Sequence, residues 1–232
     1  MPPSTPHIGT LREKPLHAAL KKWYTLPGDR IECKVGAFVI DLVRDDLLIE
    51  VQTRGFSSMK QKVVSLLEIG RPLRIVHPIP VDKWIVKIDD AGTVLSRRRS
   101  PKHGGPADVF GELVSFPELL ADVGLEVDVI MTIEEELWLH SSDGPWRRRG
   151  WGVVERRLLE VVDSLLLKNT EDLTGLLPDG LPVTFTTGDL AASLRRPRRS
   201  AQQMAYCLRK LGVLEVVGKR GKAVEYRLAS LD

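Results

Sequence analysis

The amino-acid sequence predicts an α/β (α+β) protein, in which a mixed sheet with flanking helices is followed by a small C-terminal module. Three observations indicate this class. Strand-like and helix-like segments alternate up to residue 140. Two helical segments and a hairpin follow residue 181. No apolar run approaches the ~20 residues that a membrane helix needs, and 43% apolar with 28% charged residues is typical of a folded globular protein.

The segment 15–140 contains the elements of the predicted sheet. A helix is predicted over 15–24, where leucines and a tryptophan recur at helical spacing. β-branched and apolar residues predict a hairpin of strands over 35–43 and 47–53. The remaining predicted elements are a helix over 57–68, strands over 73–77, 83–88 and 125–132, a basic loop over 97–106, and short helices over 109–114 and 117–121.

Composition predicts the domain boundaries. Residues 1–14 begin Met-Pro-Pro-Ser-Thr-Pro, and we expect a disordered tail rather than a signal peptide. Serine, glycine and proline in 141–152 predict a linker between a domain at 15–140 and a second domain at 153–232. A helix over 154–168 is expected to open the second domain, from an apolar stripe of Leu158, Leu159, Val162, Leu165 and Leu166.

The chain contains two cysteines, Cys33 and Cys207, which lie far apart and have no histidines at metal-ligand spacing. Structural zinc and a disulfide framework are therefore not expected. This usage is typical of a reducing compartment, so we predict a cytoplasmic protein without membrane partners.

Positive charge is concentrated at the C-terminus. From residue 181 onward ten basic and four acidic residues give +6, whereas the preceding residues hold 24 basic and 27 acidic groups, or −3. The same segment predicts a helix capped by Thr187 and ending at Leu194, a basic turn, and a second helix from Ser200 to Leu211. Strands over 213–217 and 223–228 follow. A basic module on a near-neutral body indicates a partner rich in phosphate.

This order of helix, tight turn, helix and basic hairpin resembles the winged helix-turn-helix family. The resemblance covers about residues 181–228 and implies binding of duplex DNA, with the second helix in the major groove. By position, base-edge contacts are assigned to Ser200, Gln202 and Gln203, with Tyr206 one turn further along. The residues suited to phosphate contacts are Arg198, Arg199, Lys219, Arg220 and Lys222.

A second set of polar residues lies in and before the predicted hairpin: Glu32, Asp41, Glu50 and Gln52. Asp41 and Glu50 interrupt apolar strands, where an unpaired charge is costly. Phosphodiester hydrolysis uses a hard divalent ion to activate water, and such ions prefer carboxylate oxygens. Period-two alternation turns Glu50 and Gln52 to the same face and leaves the Val51 carbonyl available.

The hairpin, with the helix and strand after it, resembles the core of the PD-(D/E)XK superfamily, the restriction-endonuclease-like nucleases. There the sheet carries an Asp and then Glu-x-Lys, and helices flank it. The resemblance implies that Asp41 and Glu50 are catalytic and bind Mg²⁺ or Mn²⁺, with Val51 as a further metal ligand. Glu32 matches an additional upstream acid that some members use.

Gln52 departs from the pattern, because it stands where a lysine usually polarises the attacking water. Since glutamine carries no charge, Lys60 or Lys62 on the next helix is a candidate replacement. The whole order also resembles a group of uncharacterised bacterial proteins that join such a domain to a winged helix. The strings that carry this likeness include Leu-His-Ala-Ala-Leu-Lys from residue 16 and Ile-Glu-Val-Gln-Thr from residue 49.

Three functions remain open at this level. The first is a metal-dependent DNA endonuclease, for which a homodimer would serve to cut both strands. The second is a DNA-binding transcriptional regulator whose nuclease-like domain is catalytically silent. The third is an interaction protein without nucleic acid. Without a metal, the buried acids would need basic partners, for which Arg44, Arg54 and Arg74 are candidates.

Overall fold

The computed structural model describes residues 14–140 and 150–229, so all but the last residue of the predicted tail and most of the predicted linker lie outside the described residues. Three short 3₁₀ helices, at Phe56–Met59, Pro106–Val109 and Pro117–Ala121, accompany the main elements of the first part. These main elements are α1 (Pro15–Tyr24), β1 (Arg30–Val35), β2 (Phe38–Arg44), β3 (Leu47–Val51), α2 (Lys60–Glu68), β4 (Leu73–Ile88), β5 (Val94–Arg99), α3 (Phe110–Leu113), β6 (Leu125–His140) and β7 (Trp151–Leu167).

Seven strands form one mixed sheet in the order β1-β2-β3-β4-β6-β7, with β5 paired to β4. The β3–β4 and β4–β6 pairs are parallel, and the other pairs are antiparallel. Helix α1 covers one face, where Leu16 and Leu20 pack against Ile49. Helices α2 and α3 lie on the other face, where Val63 and Phe110 join the main core. Helices on both faces of a mixed sheet confirm the predicted α/β class.

The segment predicted as a helix over 154–168 is instead part of strand β7, which pairs with β6 along its length. The pairing is irregular at three points. Because each irregularity changes the face to which the next residues point, the apolar residues follow a spacing close to that of a helix. Leu158 packs on the α1 side, whereas Leu165 packs against the main core. β7 thus belongs to the large sheet, which corrects the boundary placed at 141–152.

Three smaller differences concern the other strands. Gly36, with a φ of +56°, turns the chain, so the strand predicted over 35–43 is divided between the hairpin strands β1 and β2. β4 continues through Pro78 and Pro80, which cannot donate to the ladder, and its pairing is irregular just after them. The first residues of the predicted basic loop belong to β5.

The C-terminal elements match the predicted order of two helices and a hairpin. Thr186, rather than Thr187, caps α5, and α6 begins at Arg198, before the predicted cap at Ser200. The strands form a separate sheet in the order β8-β10-β9. The elements are α4 (Thr170–Thr174), β8 (Phe185–Thr186), α5 (Thr187–Leu194), α6 (Arg198–Lys210), β9 (Leu214–Arg220) and β10 (Ala223–Leu228).

Helix α6 joins this module to the large sheet. It contacts α3 and the 3₁₀ helix Pro117–Ala121, and its buried residues belong to the same apolar core as the sheet. These residues are Ala201, Met204, Ala205, Cys207 and Leu208. Among the helices described, none is long and apolar enough to span a bilayer.

Candidate functional site

The three acids singled out from the sequence lie together at one edge of the large sheet. Glu32 on β1, Asp41 on β2 and Glu50 on β3 line an open cleft of about 550 Å³. We call it the carboxylate cleft. Its wall also contains Lys14, His17, Lys21, Val39, Val51, Gln52, Thr53, Arg54 and Lys62.

Asp41 is held by two donors. Its Oδ2 accepts a hydrogen bond from the Val51 backbone N–H at 2.9 Å and lies 3.2 Å from Nε2 of His17. Burial raises the pKa of Asp41, but the hydrogen bonds and charges of its neighbours, His17 first among them, outweigh burial and lower it below its ordinary value. Asp41 therefore stays ionised at neutral pH.

Glu50 is the more deeply placed acid, with only 7% of the residue exposed. Lys62, from α2, donates to Glu50 Oε1 at 2.6 Å and to the Val39 carbonyl at 2.9 Å. Burial raises the pKa of Glu50 to about 7, although the charge of Lys62 opposes the rise; the charge of Asp41 adds to it. Glu50 can thus exchange a proton near neutral pH.

Glu32 lies directly across from Asp41, because Ile31 pairs with Leu42 and Cys33 with Ile40. Its φ of +52° falls in the left-handed region, which a residue inside a strand rarely adopts. Its Oε1 accepts a hydrogen bond from Lys21 at 2.9 Å. Strained backbone of this kind concentrates at functional sites, where the surroundings hold it.

Gln52 and Val51 both line the cleft, and their polar groups have partners within the protein. The side-chain amide of Gln52 donates to the Gly55 carbonyl at 3.3 Å, and the backbone carbonyl of Gln52 lies 2.6 Å from Nδ1 of His77. A carbonyl only accepts, so Nδ1 of His77 carries the proton. Burial lowers the pKa of His77 and keeps the ring neutral. Val51 contributes its N–H to Asp41.

The carboxylates of the cleft do not form an enclosed metal site. In the described part of the chain, no group of three or more His, Cys, Asp or Glu side chains is placed to hold a metal. Mg²⁺ keeps several waters and is usually bound through one or two carboxylates, which Asp41 and Glu50 provide.

The basic partners of these acids come from helices rather than from the expected arginines. Arg44 pairs with Asp29 at 2.9 Å and Arg74 with Glu126 at 2.6 Å. Lys14, His17 and Lys21 recur at i, i+3 and i+7 from the start of α1, so they share one face. The sequence already shows this spacing of basic residues, but only the packing of α1 shows that the basic face is turned toward the acids.

The exposed face of α6 forms a second surface. Arg198, Gln202, Tyr206 and Arg209 follow one another at helical spacing and line a groove of about 480 Å³ beside β10. Lys222 lies on the opposite wall of this groove. Tyr226 of β10 also lines the groove, which therefore brings together three cations, an amide and two aromatic rings.

The other residues assigned to base or phosphate contacts are distributed differently. Arg199 and Lys219 are exposed. Ser200 does not line the α6 groove and faces a cleft beside the large sheet, and Gln203 lies half-buried near Gly111 of α3. Arg220 is held by Asp189 and Glu225, at 3.0 and 2.6 Å.

These features define a protein with an acid-lined cleft in an α/β sheet and a basic helical module packed on its side. The chain belongs to the family described as a domain of unknown function, DUF8091, whose model matches residues 14–168, from the start of α1 to the end of β7. It is similar to an uncharacterized protein of Treponema pallidum (strain Nichols), with 29% identity over 95% of this chain and 87% of that protein. No solved structure matches the chain.

Proposed function

We propose that this protein binds duplex DNA and hydrolyses its phosphodiester bonds at the carboxylate cleft with Mg²⁺ or Mn²⁺. The observation that carries the proposal is the convergence of Asp41, Glu50 and Lys62 in one open cleft, from two neighbouring strands and the following helix. This is the constellation that the resemblance to PD-(D/E)XK nucleases implies, with the lysine moved from the position of Gln52 to α2.

Each side chain has a distinct task in this proposal. The carboxylates of Asp41 and Glu50 would hold the ion, which would act as a Lewis acid and lower the pKa of a water at the site. Lys62, at 2.6 Å from Glu50, supplies the positive charge that Gln52 lacks and faces the phosphate. His17 keeps Asp41 oriented. Glu50 must lose its proton to bind the ion, which its pKa of about 7 allows near neutral pH.

DNA binding is assigned to the C-terminal module, which we propose is a winged helix. Its exposed helix face carries Arg198, Gln202 and Tyr206, and the hairpin carries Lys219 and Lys222. The glutamine is suited to a base edge, and the cations are suited to phosphates. The excess of positive charge after residue 181 supports the same assignment.

A second function, a DNA-binding regulator with a silent cleft, is favoured by one observation. Each acid in the cleft already has a basic neighbour: Glu50 has Lys62, Glu32 has Lys21, and Asp41 has His17. Such pairs satisfy buried carboxylates without a metal. An ion would have to displace or share these partners.

A cleavage assay separates the two functions. The purified protein is incubated with plasmid and linear duplex DNA in Mg²⁺, Mn²⁺ or EDTA, and binding is measured in parallel by fluorescence anisotropy. We expect metal-dependent cleavage that Asp41→Asn, Glu50→Gln and Lys62→Met each reduce at least about a hundredfold, with DNA binding retained. Lys60→Met is the matched control, because Lys60 lies on α2 but outside the cleft.

Binding without cleavage, for every metal and substrate, would leave the regulator as the remaining function. Cleavage that persists in Asp41→Asn and Glu50→Gln would place the chemistry elsewhere.

A further inference from the structure

A second open cleft, of about 580 Å³, lies between the large sheet and the turn that connects α5 to α6. We call it the junction cleft, and its wall includes Lys102, Arg195 and Arg196. It shares Thr53 and Arg54 with the carboxylate cleft. The two clefts are therefore neighbours along one surface, and the junction cleft lies on the side of the C-terminal module.

Positive charge exceeds negative charge in the junction cleft. Six Lys or Arg side chains line it, against two carboxylates, Asp108 and Glu112. Asp108 accepts the Gly105 N–H at 2.9 Å and lies 3.5 Å from Arg196. Glu112 accepts the Phe56 N–H at 3.0 Å. Both acids are thus occupied in holding loops and helices in place.

The six cations divide into two groups. Lys83 and Arg156 pair with glutamates of β6 at 2.8 Å, and Arg196 pairs with Asp108. The other three, Arg54, Lys102 and Arg195, are exposed, and none of them forms an ion pair with a carboxylate in the described part of the chain. These three side chains are available to an anionic ligand.

The backbone conformation of Arg195 is an independent indication that its side chain has a function in the junction cleft. It ends α5 with φ +51° and ψ +41°, in the left-handed conformation. Glycine is the ordinary choice at this position of a helix end, because it has no Cβ to strain. An arginine whose strained backbone presents its side chain to a cleft is consistent with a function for that side chain.

The loop that carries Lys102 contacts both β4 and Arg196. The N–H of Gly104 donates to the Pro80 carbonyl at 2.9 Å, and a Cβ on Gly104 would lie 2.5 Å from that carbonyl oxygen. The guanidinium of Arg196 donates to the His103 carbonyl. These contacts hold the backbone next to Lys102 against β4 and Arg196, and Lys102 lines the junction cleft.

We propose that the junction cleft binds the phosphate backbone of duplex DNA and leads it from α6 to the carboxylate cleft. This inference rests on the proposed function. Three exposed cations spread along an open cleft suit a chain of repeated phosphates rather than a single phosphoryl group, which buried donors would enclose. The shared Thr53 and Arg54 place the bound backbone next to Asp41 and Glu50.

The test measures the affinity of the full-length protein for a fluorescent 20-base-pair duplex at several salt concentrations. The variant Arg195→Gly/Lys102→Ala removes two of the three cations, and Arg195→Gly also relieves backbone strain, so the melting temperature should not fall. We expect binding at low salt to weaken about tenfold or more and the slope of log affinity against log salt to fall by about 2. Lys34→Ala, on exposed β1 and outside both clefts, is the control and should change neither quantity.

Two results would overturn the inference while the proposed function stands. The first is unchanged affinity and slope in Arg195→Gly/Lys102→Ala, when Arg198→Ala/Gln202→Ala does weaken binding. The second is competition by inorganic phosphate at constant ionic strength, which indicates a site for a small phosphorylated ligand. Failure of the wild-type protein to bind any duplex would instead reject the proposed function, and the inference with it.

Discussion

At the scale of single residues, the carboxylate cleft depends on the pair formed by Glu50 and Lys62. Glu50 is almost fully buried, and Lys62 is its closest cation at 2.6 Å. A buried carboxylate that loses its partner keeps the cost of desolvation without the compensating attraction. Lys62 therefore has two effects: it stabilises the fold and provides positive charge in the cleft.

We predict that Lys62→Ala lowers the free energy of unfolding by about 1–3 kcal/mol at pH 8, where Glu50 is ionised and loses its hydrogen-bond donor. The same substitution in a Glu50→Gln background should cost less, because the neutral amide does not require a cation. Denaturant unfolding of the wild type, both single variants and the double variant gives the coupling free energy between Glu50 and Lys62. Equal costs in the two backgrounds would show that the pair contributes nothing to stability.

The raised pKa of Glu50 predicts how stability changes with pH in metal-free buffer. The unfolded carboxyl titrates near its ordinary pKa of 4.5, and the folded one near about 7, chiefly because of burial. Between these values the folded state retains a proton that the unfolded state has released, so the free energy of unfolding falls as pH rises from 5 to 7 and levels off above.

The measurement compares the wild type with Glu50→Gln by urea unfolding at half-unit steps of pH. The difference between their free energies of unfolding isolates the contribution of Glu50 from that of other titrating groups. One such group is His77, whose lowered pKa makes the free energy of unfolding rise with pH. A difference that is constant from pH 5 to 8 would contradict the prediction.

The sequence could identify the acids but not their partners. Asp41 and Glu50 interrupt apolar strands, and that local pattern is visible without a structure. His17, Lys21 and Lys62 reach the cleft from α1 and α2, so their role depends on how the helices pack on the sheet. Helix packing is a long-range property, which local spacing does not determine.

At the scale of elements, the predictions were most accurate where a signal is short and local. The hairpin β2–β3 and the helices α1, α2, α5 and α6 were predicted to within a few residues. β7 was predicted as a helix, because its register irregularities give apolar residues such as Leu158, Val162 and Leu165 a mixed spacing. Its pairing with β6 decides its conformation, since the edge strand gains a whole ladder of backbone hydrogen bonds.

Which threonine caps the N-terminus of α5 can be tested directly. The hydroxyl of Thr186 accepts from the N–H groups of Gly188 and Asp189, while Asp189 Oδ2 accepts the Thr186 N–H at 2.7 Å. We predict that Thr186→Ala destabilises the protein by about 1 kcal/mol, the usual value of a cap. Thr187→Ala, the cap expected from sequence, should change stability by less than about 0.5 kcal/mol. Thermal or urea unfolding of both variants measures these changes in stability. A larger effect of Thr187→Ala than of Thr186→Ala would contradict the assignment of Thr186 as the cap.

At the scale of the whole molecule, one apolar core connects the large sheet with the C-terminal module. Phe110 and Leu113 of α3 and Met204 and Leu208 of α6 belong to the same cluster. The sequence predicted two domains separated by a linker, because composition alone cannot show that α6 packs against α3. The family match ends at residue 168, whereas the core continues beyond it.

We therefore predict that the two parts unfold in one cooperative transition. All five tryptophans precede residue 152 and report on the first part, while Cys207 is fully buried in α6 and burial raises its pKa to about 12. In a Cys33→Ser variant, labelling of Cys207 at pH 8 should follow the same guanidinium transition as tryptophan fluorescence. Labelling at a clearly lower denaturant concentration would show that the C-terminal module unfolds independently.

The proposed binding of a divalent ion by Asp41 and Glu50 can be tested directly, without knowledge of the DNA substrate. Isothermal titration of the metal-free protein with Mn²⁺ at pH 8 measures binding in the wild type, Asp41→Asn and Glu50→Gln. We predict a site in the wild type whose affinity falls at least about tenfold in each variant, with unchanged circular dichroism. Equal Mn²⁺ binding by all three proteins, or none by the wild type, would contradict the claim and favour a DNA-binding regulator whose acids only stabilise the fold.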